Sequence, residues 1–557
     1  MNIITTNFIS KDSPLAPVPF LREVRGISKK LFFFLFLFTA LGNFKINAQP
    51  LMGSGQKLDA VFQMLNYAYV DTINEKKLTE DAIRAVLKDL DPHSVYIPAE
   101  DLKDANEALV GNFEGVGIQF NILEDTIFVT NTIPGGPSEK VGILAGDRIV
   151  KIDTSVVAGI KIKNSDVLKK LRGNKGTKVN VGIARRGEPK LIDFTITRDK
   201  IPLFSVDAAY MAAPGIGYIK INKFADTTVD EFKDALKKLK DQGIKSLVLD
   251  LTQNGGGYLN RAIELADEFL SDKKRIVYTK GVHAPLQESY STAAGGWEKG
   301  KLVVMIDEFS ASASEIVTGA VQDWDRGLVV GRRSFGKGLV QKPLPLPDNS
   351  VIRLTVARYY TPSGRCIQKS YQKGEEAYED DYGDRVKNGE LFNADSIHFN
   401  DSLKYFTNNK RTVFGGGGIM PDVFVPADTM PISTLSRELQ RKGVTNDFSL
   451  SYVDRNRSKL LATYPDIDSF KKNFAADEKF LNEFFAFAEK KEVKKDEAGW
   501  NRSSVLIETI LKSIIARDLY GTGAFYQIYN DVMNDSYKKA IESIQNNTFD
   551  KMKIAEK

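Results

Sequence analysis

Three observations predict an α/β protein built from several domains. The chain has 557 residues, more than a single hydrophobic core usually supports. Between residues 205 and 430, apolar strand-like runs alternate with amphipathic helical patterns, as in a sheet covered by helices. Short alternating strands crowd residues 105–200, whereas 55–104 and 431–557 are patterned as helices. The expected order is a leader at 1–48, an N-terminal helical region at 55–104, a β-rich domain at 105–200, an α/β core at 205–430 with an insertion at 370–412, and a C-terminal helical domain at 431–557.

The leader carries six Lys or Arg against two Asp or Glu and then an apolar block, "LFFFLFLFTAL", at 31–41. This block of eleven residues, apolar except for Thr39, suits the core of a signal peptide and falls short of the ~20 that span a bilayer as a helix. Ala48 in "INAQ" offers a small residue for cleavage, and an uncleaved anchor is the alternative. The expected location is therefore outside the cytoplasm: periplasmic, or held at the inner membrane if the segment stays attached. Loss of this net +4 segment from a chain of formal charge +5 leaves a nearly neutral protein, which removes any charge-based case for nucleic-acid binding.

In the 55–104 region, Leu58, Val61, Phe62 and Leu65 fall on one helical face, and Ile83, Val86, Leu87 and Leu90 on another that "DPHS" ends. Residues 105–200 contain "VGIQFNIL", "TIFVTNTI", "DRIVKID", "KVNVGIA" and "LIDFTIT", punctuated by "PGGPS" and "AGD", with a short helix at 166–171. In the core, "IGYIKINKF" and "SLVLDL" read as strands, and Thr228–Asp241 as a helix with Val229, Phe232, Leu236 and Leu239 on its buried face. Thr228 and Glu231 are spaced as a capping box. The segment 370–412 is rich in Glu, Asp, Lys and Asn and reads as a solvated insertion without chemistry. "FLNEFFAFAEKK" and "SVLIETILKSIIARDL" give the C-terminal region strong apolar faces, predicting a helical domain that packs on the core or forms an oligomer contact.

The most informative stretch is 301–341. An apolar run at 302–306 leads into "SASASE", and Ile316, Val317, Ala320, Val321 and Trp324 then follow at helical spacing, so a helix begins near 310–314. A serine there faces the free N–H groups of a helix N-terminus, a site suited to developing negative charge. Lys337 lies 25 residues beyond Ser312, between Gly336 and Gly338 and beside Phe335, Leu339 and Val340. A lysine can act as a base only when neutral, and burial or neighbouring cations such as Arg332 and Arg333 lower its pKa. A serine whose proton passes to such a lysine is an activated nucleophile. A helix cap alone explains one serine and leaves the glycine-flanked lysine unexplained. The run from Gly331 to Gly338 nearly spells a phosphate-binding loop, but Gly338 stands where the magnesium-binding hydroxyl is required.

"SASASE", "FGKGLVQ" and the upstream "DLTQNGGG" resemble, in order, the motifs of the carboxyl-terminal processing peptidases, family S41. The resemblance covers residues 55–430 and includes "ARYYTPSGRCIQ" and "GGGGIMPDVFVP". It implies a crotonase-like α/β serine protease core, with Ser312 as nucleophile, Lys337 as general base and Gln341 orienting the lysine. The oxyanion hole then falls on the N–H groups of Ala313 and of a glycine in the triplet 255–257, assigned to Gly257, where three glycines let the backbone approach a substrate closely. The β-rich domain resembles a PDZ domain, in which the loop Gly115, Val116, Gly117, Ile118 would hold a terminal carboxylate on successive N–H groups. The sequence departs from the family at Thr252, where arginine is frequent.

The implied activity is endopeptidase cleavage of exported proteins recognised through their exposed C-termini, with no cofactor, and with an adaptor protein or a second copy of the chain as candidate partners. A non-catalytic peptide-binding scaffold of the same fold is the alternative, although such a binder has no need of Ser312, Lys337 and Gln341 together. The three histidines, His93, His283 and His398, are far apart and in no metal-binding spacing, and the single cysteine, Cys366, excludes an intrachain disulfide. His93 reads as structural, and Cys366 as a buried thiol.

Overall fold

The computed structural model describes residues 53–429 and 431–554, so the predicted leader lies outside the described residues. Up to Thr79 the described residues form one compact unit, and from Glu80 a second. In the first, the helix Ser54–Ala68 leaves Leu58 and Val61 exposed rather than buried on the face the periodicity suggests.

In the second unit, a six-stranded sheet forms the core. Its order is Val206–Ala213, Ile216–Ile221, Ser246–Asp250, Lys301–Ile306, Leu328–Gly331 and Val423–Phe424, parallel throughout except for the first pair. The central strands are apolar at nearly every position because both faces are covered. Ile219, Leu249, Val304 and Ile306 point to the helices Thr228–Asp241, Leu259–Asp267 and Ala313–Asp323. Tyr218, Val248, Val303 and Met305 point to the opposite face, where Tyr537, Ala540 and Ile544 of the helix Asp535–Gln545 pack. The C-terminal helices thus serve two purposes. Thr434–Arg441 through Glu497–Tyr520 build a core of their own around Phe448, Phe470 and Phe484, and the later helices cover one face of the six-stranded sheet.

Val229, Phe232, Leu236 and Leu239 are buried as their spacing predicts. The predicted capping box does not form. Glu231 instead accepts from the N–H groups of Ser205 and Val206, 2.7 and 2.9 Å away, and so fastens the helix to the start of the sheet. A second, antiparallel sheet pairs Val351–Tyr360 with Leu339–Pro345 and also with Val95–Ile97 and Arg275–Lys280. Its role is to carry the lysine segment.

The β-rich domain is an antiparallel sheet in the order Ile118–Leu123, Thr126–Thr132, Arg148–Ile152, Lys178–Ala184, Ile192–Thr197, with the helix Asn164–Leu171 closing its core through Val167 and Leu171. Its two ends meet in a ribbon, Asn112–Gly115 paired with Asp199–Pro202, so the chain enters and leaves at one place. The segment at 370–412 corrects the reading of a solvated insertion. Tyr378, Arg385 and Leu391 are buried, because the short helices Glu375–Glu379 and Asp381–Lys387 fold onto the loop before Leu339.

Candidate active site

Ser312 sits at the turn between the strand Lys301–Ile306 and the helix Ala313–Asp323, with φ 55° and ψ −111°. That region is reached by non-glycine residues only at a cost of about 1–3 kcal/mol, and its occupation by a serine before a helix is the geometry of a presented nucleophile. Three contacts hold the turn. Ser310 Oγ donates to the Leu251 carbonyl at 2.8 Å, Ala311 N donates to the Asn254 carbonyl at 3.0 Å, and Ser312 N donates to Glu315 Oε2 at 2.8 Å. Ala313, as the first helical residue, has no acceptor for its N–H among the described residues.

Lys337 lies in a segment, 334–338, that is neither helix nor strand, yet its backbone is fully engaged. Ser334 N donates to the Ile419 carbonyl and Phe335 N to the Ser310 carbonyl, each at 3.0 Å. Gly336 N and Lys337 N donate to Glu315 at 2.7 and 2.9 Å, and Gly338 N to Gln368 Oε1 at 2.7 Å. Glu315 is thus the hinge of the site. Its fully buried carboxylate accepts from Ser312 N and Lys337 N on one oxygen and from Gly336 N and Ser334 Oγ on the other. Burial pushes that carboxyl above the usual range, against the four hydrogen bonds that favour the charged form. Tyr359 makes a second bridge, its hydroxyl lying 3.1 Å from the Ser312 carbonyl and 2.7 Å from the Lys337 carbonyl.

The Lys337 side chain is half-buried, and among the described residues its ammonium makes no hydrogen bond or ion pair. Burial lowers its pKa from the ordinary lysine value, the Arg353 cation adds to this, and Glu315 and Asp91 oppose it. The cations named from the sequence are occupied elsewhere. Arg332 pairs with Glu308 at 2.7 Å, and Arg333 pairs with Glu390. A strand, Leu339–Pro345, follows the lysine, so the helix that a phosphate-binding loop requires is not there. Gln341 donates its amide to Thr355 Oγ1 at 3.3 Å, and no hydrogen bond joins it to Lys337 in this structure. Thr355 in turn donates to Asp91 Oδ1 at 3.0 Å, and Asp91 also receives the His93 and Ser94 N–H groups at 2.9 and 3.0 Å. The "DPHS" turn therefore belongs to the lysine's surroundings. His93 meets the Tyr378 hydroxyl at 2.8 Å, and burial together with the Lys337 charge lowers its pKa to about 4.

The glycine triplet lies against Ser312. A Cβ on Gly256, whose φ is 102°, would stand 2.8 Å from Ser312 Cβ, and one on Gly257 would stand 2.1 Å from the Phe224 carbonyl oxygen. Gly256 N is committed to Asn254 Oδ1 at 2.9 Å, whereas the Gly255 and Gly257 N–H groups have no acceptor among the described residues. Upstream, Thr252 is accommodated by a buried lysine. Lys220 Nζ lies 2.9 Å from Thr252 Oγ1 and 3.1 Å from Asp250 Oδ1, so a cation reaches this turn from the neighbouring strand. In the β-rich domain, Gly115, Val116 and Gly117 are buried and Ile118 is half-buried. The Val116 carbonyl is anchored by Ser138 Oγ at 2.7 Å, while the Val116 and Gly117 N–H groups have no acceptor among the described residues.

Comparison with known proteins sets this geometry in a family. The profile of peptidase family S41 matches residues 215–374, that of the PDZ domain 115–196, that of the activating protease CtpB N-terminal domain 43–101, and that of a family of unknown function, DUF8443, 435–521. A carboxy-terminal-processing protease of Bartonella bacilliformis is 39% identical over 313 residues, 55% of this chain and 71% of its own. The chain belongs to the carboxy-terminal processing protease family. The carboxy-terminal processing protease CtpB of Bacillus subtilis is 34% identical over 358 residues, covering 64% of this chain and 72% of its own. Among solved structures, a photosystem II D1 C-terminal processing protease is 26% identical, covers 73% of this chain and 95% of its own, and superposes with a TM-score of 0.35.

As a member of that family the chain is a serine peptidase with a PDZ domain. Sequence reasoning overlooked Glu315, Tyr359, Asn254 and Asp91. Glu315 was legible in part, as the glutamate three residues after a serine at a helix start. Tyr359 and Asp91 act across long loops and carry no local signal.

Proposed function

We propose that this chain is an endopeptidase in which Ser312 attacks the scissile carbonyl and neutral Lys337 takes its proton. The observation that carries the reading is the single Glu315 oxygen that receives both Ser312 N and Lys337 N, which keeps nucleophile and base in register. An ammonium without a partner among the described residues, in a partly buried setting, supports a lysine that deprotonates readily. The same lysine then gives its proton to the leaving amine, and water hydrolyses the acyl-enzyme. The N–H groups of Ala313 and Gly257, which lack acceptors among the described residues, form the oxyanion hole, an effect worth roughly 2.7–4 kcal/mol per donor. Gln341 orients the lysine once substrate is bound, exchanging its bond to Thr355.

Substrates are proteins with exposed C-terminal tails, held by the loop Gly115, Val116, Gly117, Ile118 while an extended segment reaches Ser312. The apolar block at 31–41 supports export, to the periplasm or to the face of the inner membrane, where an adaptor protein or a second copy would serve as a partner in delivery. Among the described residues no helix is long and apolar enough to cross a membrane. The test is degradation of an unstructured protein with an apolar C-terminus by the wild-type chain, Ser312→Ala and Lys337→Ala. Cleavage by the wild type alone supports the dyad. Near-wild-type turnover by either variant refutes it, and inactivity of all three returns the peptide-binding scaffold.

A further inference from the structure

The segment that delivers Lys337 is clamped from outside the S41 match, which ends at residue 374. Arg385, on the short helix Asp381–Lys387, is 3% exposed and spends its guanidinium on three consecutive carbonyls. Its Nη1 donates to the Arg333 and Ser334 carbonyls at 3.1 and 2.9 Å, and its Nη2 to the Phe335 carbonyl at 3.1 Å. No other donor serves the Ser334 or Phe335 carbonyl among the described residues. The clamp is itself anchored. Asp381 Oδ2 lies 2.9 Å from Arg385 Nε and 3.0 Å from Lys369 Nζ, and Lys369 N donates to the Gly336 carbonyl at 2.9 Å. The Lys369 ammonium also rests 4.0 Å from the Phe335 ring centre and 4.1 Å from that of Tyr378, whose hydroxyl meets His93.

Consequently the loop before the base has two walls. Glu315 and Tyr359 hold the Lys337 side from the core, and Arg385 holds 333–335 from the insertion. A planar guanidinium suits this task, because it presents several N–H donors in a fixed fork, which a lysine ammonium or an amide cannot match across three carbonyls. We propose that Arg385, supplied by the segment 370–412, is a positioning residue for Lys337. The inference rests on the reading of Lys337 as the base. Arg385 acts through the loop backbone and touches neither substrate nor the reacting atoms.

Removal of the clamp lets the loop move outward and admits water to Lys337. The titratable and charged groups around that lysine, Glu315 from the nucleophile helix, Asp91 and the neutral His93 from the "DPHS" turn and Arg353 from the second sheet, stay in place. The groups that face Arg385 itself are Asp381, Arg333, Glu390 and Glu315. The net consequence is a more hydrated lysine with a higher pKa, so a larger fraction is protonated at neutral pH.

The experiment compares Arg385→Gln, Arg385→Lys, Lys337→Ala and the wild-type full chain. It measures kcat and KM on a tailed unstructured protein from pH 5 to 10, together with the binding of a C-terminal peptide. Arg385→Gln is expected to lower kcat at pH 7 by about 30- to 100-fold, as small displacements of catalytic groups do, with KM within about threefold. Its acid limb moves to higher pH, so part of the loss returns on alkalinisation, and peptide binding is unchanged. Arg385→Lys keeps the charge but reaches fewer carbonyls and falls between. A wild-type kcat and acid limb in Arg385→Gln, or a loss equal at every pH, overturns the proposal. If Arg385→Gln does not fold, Arg385→Lys decides by the same two readouts. An inactive Lys337→Ala beside a wild-type-like Arg385→Gln sinks this inference alone, whereas an active Lys337→Ala removes the dyad on which it rests.

Discussion

The Glu315 carboxylate is the point at which a minimal perturbation tests the architecture of the site. Glu315→Gln conserves shape and replaces one oxygen by an NH2 group. All four partners of the carboxylate donate to it: Ser312 N, Lys337 N, Gly336 N and Ser334 Oγ. An amide facing Ser312 N and Lys337 N would set donors against two N–H groups. The less costly orientation turns the NH2 toward Gly336 N and Ser334 Oγ, whose hydroxyl already accepts from Ile419 N at 2.6 Å. One buried N–H is then orphaned, at about 1–3 kcal/mol, and the surviving bonds change from charged to neutral, each weaker by about 1 kcal/mol. Relief of the buried charge returns part of this, leaving a net loss of about 3 kcal/mol. For a domain of this size that lowers the melting temperature by roughly 6–12 °C. The register of Ser312 and Lys337 loosens as well, and kcat falls by about 100-fold or more. Thermal melting and single-turnover cleavage of a tailed protein measure both. A variant with the wild-type melting temperature and kcat would refute the assignment of Glu315 as the tie between Ser312 and Lys337.

Further outcomes follow from other contacts. Because Lys337 is depressed below the ordinary lysine value, its neutral form is present at lower pH than in a free lysine. The kcat/KM profile should therefore rise with pH along a limb that lies below 10.5 and flatten above it, and a profile flat down to pH 5 would exclude a lysine base. For His93 the folded pKa of about 4 lies below the ordinary histidine value of 6.5, so the unfolded chain binds the proton first and stability falls as pH drops from 6.5 toward 4. His93→Asn should flatten chemical-denaturation midpoints across that window, and an unchanged slope would show that the histidine contributes nothing. Gly117 has φ 76°, and a Cβ there would lie 3.0 Å from Ile201 Cδ1. Gly117→Val is expected to weaken binding of a C-terminal peptide at least about tenfold through strain in the loop, while cleavage of short peptides changes much less; equal loss on both would contradict a tail-binding role.

Patterns that depend on near neighbours are legible in the chain itself. Helical spacing places Val229, Phe232, Leu236 and Leu239 inward, the break from apolar strand to "SASASE" locates the turn at Ser312, and glycine flanks single out Lys337. Alternation and turn residues separate the β-rich domain, since period and turn chemistry are local. Long-range pairing is not legible in this way. Nothing local announces that Glu315 receives the backbone of Lys337 22 residues later, that Asp91 anchors Thr355, or that Lys220 supplies a cation at Thr252. The insertion at 370–412 shows why. Its composition is that of a solvated surface, yet Arg385 is buried because three carbonyls of an irregular loop needed donors. The sequence by itself determined where most strands and helices lie and singled out Ser312 and Lys337 as candidates. Only the tertiary structure decided which distant groups satisfy the backbone around them, because hydrogen-bond satisfaction in a core is settled between segments that meet only after folding.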